Sequence, residues 1–174
     1  MIKSFFLWFY CLSITDSVLL VILASAGYLI LRKWLGDKRF WRPFIALLFL
    51  AWIAVIAVAT LTDRTPGVTP AEPKMIPFHS YRAVIAGENE EIFRSNFMNV
   101  ILFYPAGFLS CELLPKNWRR TKRFTLIVVL FALISVGIEV CQYHFILGRA
   151  EVDDVIHNTL GALIGALVCT IRLR

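Results

Sequence analysis

Charge is scarce in this chain: of 174 residues only 17% are Asp, Glu, Lys or Arg. Several catalytic and metal-binding signatures are missing altogether. No Gly-x-Ser-x-Gly elbow and no cysteine beside an activating partner supports covalent catalysis, and no His-Glu-x-x-His or Cys-x-x-Cys spacing suggests zinc. The four cysteines, at 11, 111, 141 and 169, lie inside or beside apolar runs. They read as small packing residues rather than ligands or disulfide partners. No internal repeat and no low-complexity tract breaks the chain. No cofactor is expected.

What fills the chain is hydrocarbon. Hydrophobic residues make up 59%, and mean hydropathy is +0.71, too apolar for a soluble domain of this length. A bilayer span needs about 20 mostly apolar residues, and five such runs are present, near 13–32, 43–61, 96–114, 124–147 and 153–171. The expected fold is an all-α polytopic membrane helical bundle of about five transmembrane helices. It forms one domain over 1–174, with a partly helical outer loop at 62–95. Ala24-Ser25-Ala26 resembles a signal-peptide cleavage site, but Asp16 interrupts the apolar core expected of such a peptide. In the loop, Pro66, Pro70, Pro73 and Pro77 rule out one continuous helix, Met75-Ile76-Pro77-Phe78 is an interfacial or folded-back segment, and Tyr81 to Phe93 predicts one or two short helices.

The net charge of +6 does not mark a nucleic-acid binder, because the cations gather beside span ends. Arg32, Lys33, Lys38, Arg39 and Arg42 follow the first run; Lys116, Arg119, Arg120, Lys122 and Arg123 follow the third; Arg172 and Arg174 close the chain. Cytoplasmic loops carry such clusters. The expected location is therefore a cell membrane crossed several times, with the N terminus outside and the C terminus in the cytoplasm.

That orientation sends the costly polar residues to the outer leaflet. Glu139 and Gln142 are three apart on the fourth run, while Asp154, Asn158, Gly161 and Gly165 recur at helical spacing on the fifth. Asn99 opens the third run, Arg64 follows the second, and Arg149 and Asp153 flank the turn before the fifth. An ionisable group inside a membrane usually faces a partner or a wet cavity. Glu139 with Gln142 is either an interhelical glue or the floor of a binding pocket. Arg149 with Asp153 and Asp154 is either an interfacial ion-pair network or a head-group site. A metal held by Asp153, Asp154, His157 and Glu139 has suitable atoms but poor spacing. Gly161-x-x-x-Gly165 permits close helix approach, either within the bundle or between copies.

In combination these residues resemble the VanZ-like family of multi-pass bacterial membrane proteins. The resemblance rests on Thr60-Leu-Thr-Asp-Arg64, Met75-Ile-Pro-Phe-His-Ser80, Asn99-x-x-x-Phe103-x-Pro105-x-Gly107, Glu139-x-x-Gln142, and Arg149 with Asp153, Asp154, Asn158, Gly161 and Gly165. It covers roughly the last two thirds of the chain. It implies a cell-envelope protein linked to lowered susceptibility to teicoplanin-type glycopeptide antibiotics, and it transfers no catalytic residue. The resulting expectation is an outer-leaflet pocket of Arg64, Asn99, Glu139, Gln142, Arg149, Asp153, Asp154 and Asn158. Its ligand would be a lipid-linked cell-wall precursor, a glycan component or a phospholipid head group. The alternative is an intramembrane lipid-modifying enzyme or a lipid translocator using Glu139 and Asp153 or Asp154; a scaffold acting through the outer loop is a third reading.

Overall fold

The computed structural model describes residues 13–36, 39–62, 69, 71–85 and 90–172. Six helices run through them: α1 Ile14–Leu35, α2 Trp41–Ala57, α3 His79–Ile85, α4 Glu90–Leu113, α5 Arg120–His144 and α6 Val152–Arg172. The chain is inside out by soluble standards. Leu19, Ile22, Leu23, Ile30, Leu47, Leu50, Leu133 and Val140 are exposed, whereas Asn96, Glu112, Arg123, Glu139, Gln142 and Asn158 are buried. Such a surface suits hydrocarbon, and the protein is embedded in a membrane. Four helical stretches, Ile14–Leu35, Trp41–Leu61, Arg120–His144 and Val152–Ile171, are long and apolar enough to cross one.

The fifth expected span, 96–114, belongs to α4, which starts earlier than the apolar pattern indicates and spans 24 residues. Asn96, Asn99 and Glu112 dilute its apolarity, yet Asn96 and Glu112 are buried because α4 is wrapped by α1, α2, α5 and α6. A helix shielded by protein does not need a lipid-compatible surface. Cross-helix contacts set the directions. Asn99 meets Asp154 and Cys111 meets Thr170, so α4 and α6 run in parallel. Ser17 meets Met98 and Arg32 meets Glu112, so α1 runs with them. Trp41 with Glu112 and Trp52 with Leu102 set α2 opposite to α4, and Ser135 with Asn158 together with Glu139 with Glu151 set α5 opposite to α6.

Glycines let the central pair touch. A Cβ added at Gly107, Gly161 or Gly165 would overlap the backbone carbonyl of Ala162, Val100 or Tyr104 respectively. The Gly161-x-x-x-Gly165 face is therefore occupied within the chain. Ala106, Ala162 and Ala166 complete the seam, and Phe103 meets Phe131 edge-on at 6.2 Å to join α5. Helix α4 continues through Pro105 without interruption. Helix α1 is attached most lightly, with Ser17 its one buried residue. Ser13 and Asp16 form a reciprocal capping box at its start, so the Asp16 that argued against a signal peptide serves as the N3 acid of a helix.

Candidate functional site

One end of the bundle collects the C-terminal ends of α2 and α5, the N-terminal ends of α4 and α6, and the loop helix α3. The loop is tied down by backbone first: the Lys74 N–H donates to the Ala150 carbonyl (2.9 Å), and the Val152 N–H to the Lys74 carbonyl (3.0 Å). Lys74 Nζ also faces the Glu151 carboxylate at 3.7 Å. Asp153 then anchors the turn into α3. Its carboxylate accepts the Phe78 N–H at 2.5 Å, the Ser80 N–H at 2.8 Å and the Ser80 hydroxyl at 2.5 Å. Phe78 has φ 61°, a conformation uncommon outside glycine, and the bond to Asp153 holds its amide there. Asn96 donates to the Ser80 hydroxyl (2.9 Å), and the Tyr81 hydroxyl is 2.8 Å from His157 Nε2. Through these contacts α3 is locked to α4 and α6.

The predicted pocket residues divide into three groups. Asp153, Asp154, Asn158, Asn99, Glu139 and Gln142 do gather at this end, and each has a defined partner. Asn99 donates to Asp154 (2.8 Å), Asn158 to the Ser135 hydroxyl (2.8 Å), and Gln142 to the Thr60 carbonyl (2.9 Å). Glu139, only 6% exposed, accepts the Glu151 N–H at 2.9 Å. Arg149 stands apart: it is exposed and makes no ion pair among the described residues. The expected network of Arg149 with Asp153 and Asp154 is thus not formed, because backbone and hydroxyl donors from the loop satisfy Asp153 instead. Arg64 and its neighbour Asp63 lie outside the described residues.

Partners explain much of this polarity without a ligand. Gln142 supports the π-turn Val58–Thr62 that ends α2, where the Thr60 carbonyl accepts its amide. Glu139 fixes the turn into α6. Even so, some hydrogen-bonding capacity is unspent. Among the described residues, Gln142 Oε1, Asn158 Oδ1 and His79 Nδ1 at this end are buried without a hydrogen-bond partner. Leaving such an atom unpaired costs about 1–3 kcal/mol, so these atoms, like Arg123 Nε at the opposite end, have capacity that a water molecule or a polar group could fill. Asp153 and His157 turn toward Ser80 and Tyr81, and no group of three or more His, Cys, Asp or Glu among the described residues is arranged to hold a metal ion.

Sequence reading passed over Tyr81, Asn96 and Ser135. Asn96 carried a usable signal, since it sits three residues before Asn99 on the same helical face. It also passed over the opposite end of the bundle. There Glu112 is buried at 7% and pairs with Arg32 at 2.8 Å, with Trp41 Nε1 3.5 Å from its second oxygen. Arg123, 4% exposed, donates to the Cys111 carbonyl and lies 3.4 Å from its sulfur. Costly polar groups therefore occupy both ends rather than converging on one. The reason Glu112 escaped notice is position: two residues from an apparent span end, it reads as an interfacial acid, and Arg123 as a loop cation.

A third feature lies on the α1 and α2 side of α4. A cleft of about 390 Å³ is lined by Ser17, Ala24, Tyr28, Trp52, Tyr104 and Phe108, among others. It is almost wholly apolar.

A family model described as VanZ/LLP1 matches residues 40–173. No curated protein and no solved structure matches the chain.

Proposed function

The chain belongs to the VanZ/LLP1 family, and from that premise we propose that it binds the polar head of a lipid-linked cell-wall precursor at the outer leaflet and lowers susceptibility to teicoplanin-type antibiotics. On this reading the chain crosses the membrane five times, with the N terminus outside and the C terminus in the cytoplasm. The alternating helix directions suit an odd number of crossings, and the basic connections at 36–42 and 114–119 then share the cytoplasmic side.

The observation that carries the proposal is the pair of buried amide oxygens without a partner among the described residues, Gln142 Oε1 and Asn158 Oδ1, at the end of the bundle where Arg149 is exposed. A glycan supplies hydroxyl donors for the amide oxygens, and a pyrophosphate supplies the anion that a guanidinium holds bidentately. Arg64, which follows the second apolar run in the sequence, is proposed as a second anion contact. Glu139, Asp153, Asp154 and Asn99 act as the frame. Asp153 has its acceptors turned to Phe78 and Ser80, which makes it a poor proton acceptor and weighs against the enzyme reading.

The test is a glycopeptide susceptibility assay on cells expressing the chain. Arg149→Ala and Asn158→Leu should each abolish the protection while the purified variants keep wild-type helix content and membrane insertion. Protection retained in a folded Arg149→Ala, Asn158→Leu double variant would show that this polar end does not serve this function.

A further inference from the structure

The opposite, basic end carries two adjoining hollows of different chemistry. The first, about 540 Å³, is lined by Arg39, Arg42, Lys116 and Asn117 along with Trp41 and Glu112. The second, about 400 Å³, is formed by Leu35, Phe40, Trp41 and Phe44 alone. Trp41 forms part of both. We propose that together they bind one anionic phospholipid of the leaflet facing this end, with its phosphate among Arg39, Arg42 and Lys116 and an acyl chain along Leu35, Phe40 and Phe44.

Charge supports this occupant. Glu112, the one acid among the described residues that line the polar hollow, is held by Arg32 at 2.8 Å, which neutralises it. Arg42 gives one Nη2 hydrogen to the Leu113 carbonyl (3.0 Å). That contact orients the guanidinium and leaves further donors for a phosphate. Arg39 and Lys116 are exposed and form no ion pair among the described residues. Three cations against one compensated acid leave the cavity strongly positive.

Depth supports it as well. Trp34 and Phe40 are 74% and 73% exposed, and Lys122 lies 4.1 Å over the Trp118 ring. Exposed aromatics beside Lys and Arg mark the head-group level of a bilayer, and basic hollows at the cytoplasmic ends of transmembrane helices suit anionic lipid heads. A soluble anion would leave the apolar hollow exposed to water, and a neutral lipid would leave three cations unmatched. An anionic amphiphile meets both demands. The site is at the far end from the one discussed above and stands whether or not that reading holds.

Native mass spectrometry on the full chain in mild detergent, titrated with phosphatidylglycerol or phosphatidylcholine, tests the proposal. One phosphatidylglycerol should be retained in clear preference to phosphatidylcholine. Removing the charge at three surface positions in an Arg39→Gln, Arg42→Gln, Lys116→Gln variant should weaken retention by roughly a hundredfold. On the unmodified protein the preference should fall as salt is raised, and millimolar inorganic phosphate should not displace the lipid. Equal retention of the two lipids, a salt-independent preference, displacement by inorganic phosphate, or undiminished binding by the folded triple variant would overturn it.

Discussion

Asp153 and Glu112 show what a single buried carboxylate does here, and they do it in different ways. Asp153 collects three hydrogen bonds from the Phe78–Ser80 turn, so Asp153→Ala strands two backbone N–H groups and should cost about 3 kcal/mol. Ser80→Ala leaves both N–H bonds in place but removes the hydroxyl that Asp153 and Asn96 share, and should cost about 1–2 kcal/mol. Unfolding of the purified protein in mixed micelles measures both, and equal losses would contradict the anchoring role. Glu112 instead depends on Arg32, whose side chain is 19% exposed against 4% for the acid. Breaking a buried pair leaves an uncompensated charge, so Arg32→Ala should lose about 3 kcal/mol. Adding Glu112→Leu to that variant should recover most of the loss, because no charge then remains unmatched. Residue identity flagged Glu139, Gln142, Asp154 and Asn158 from the sequence, since a polar group inside an apolar run is conspicuous. It could not reveal their partners: Thr60 and Gln142 are 82 positions apart, and only the closed bundle brings them together.

Helices follow apolar runs, and their boundaries follow contacts. Each expected span overlaps a helix, but the fourth runs past the end of α5 at His144, α4 starts at Glu90, in the outer loop expected at 62–95, and the same loop contains α3. Pro73 and Pro77 suit the non-helical stretch at 71–78 that precedes α3 at His79. At the end of α5 the chain reverses through Ile146 at φ 55°, and the Leu147 N–H donates to the Gln142 carbonyl at 2.8 Å. This is the position where glycine ordinarily ends a helix, so sequence gave no stop signal there, and the run was read through to 147. Glycines inside the helices differ by neighbour rather than by type. Gly165 lies against the Tyr104 carbonyl, whereas Gly137 and Gly27 have nothing within 4 Å of an added Cβ. Gly165→Ala should therefore force α4 and α6 apart and cost about 2 kcal/mol. Gly137→Ala should stabilise by about 0.5 kcal/mol, through helix propensity. Micelle unfolding of the two variants should shift in opposite directions, and shifts of the same sign would refute the close-contact argument.

Across the whole molecule the helix directions carry the largest consequence. With α1, α4 and α6 running one way and α2 and α5 the other, both basic connections fall at one end and the α3 loop at the other. Reporter fusions at the 114–119 connection and after the C terminus should both report cytoplasm, while one in the 71–85 loop should report the outside; a cytoplasmic loop reporter would reverse the assignment of the two lipid-facing sites. Composition by itself determined that the chain is a membrane-embedded helical bundle, because runs of about 20 apolar residues have no other stable environment. Sequence order also marked Glu139, Gln142 and Asn158 as costly polar groups, but not Glu112 or Arg123, whose burial depends on the fold. Only tertiary structure decided which costs are met within the chain. Asp153 is satisfied by a loop folded back over the bundle, Glu112 by a cation on the loosely held α1, and Gly165 by the backbone of α4. These answers depend on contacts between distant segments, whose geometry is set by the packing of all the helices and not by any local run of residues.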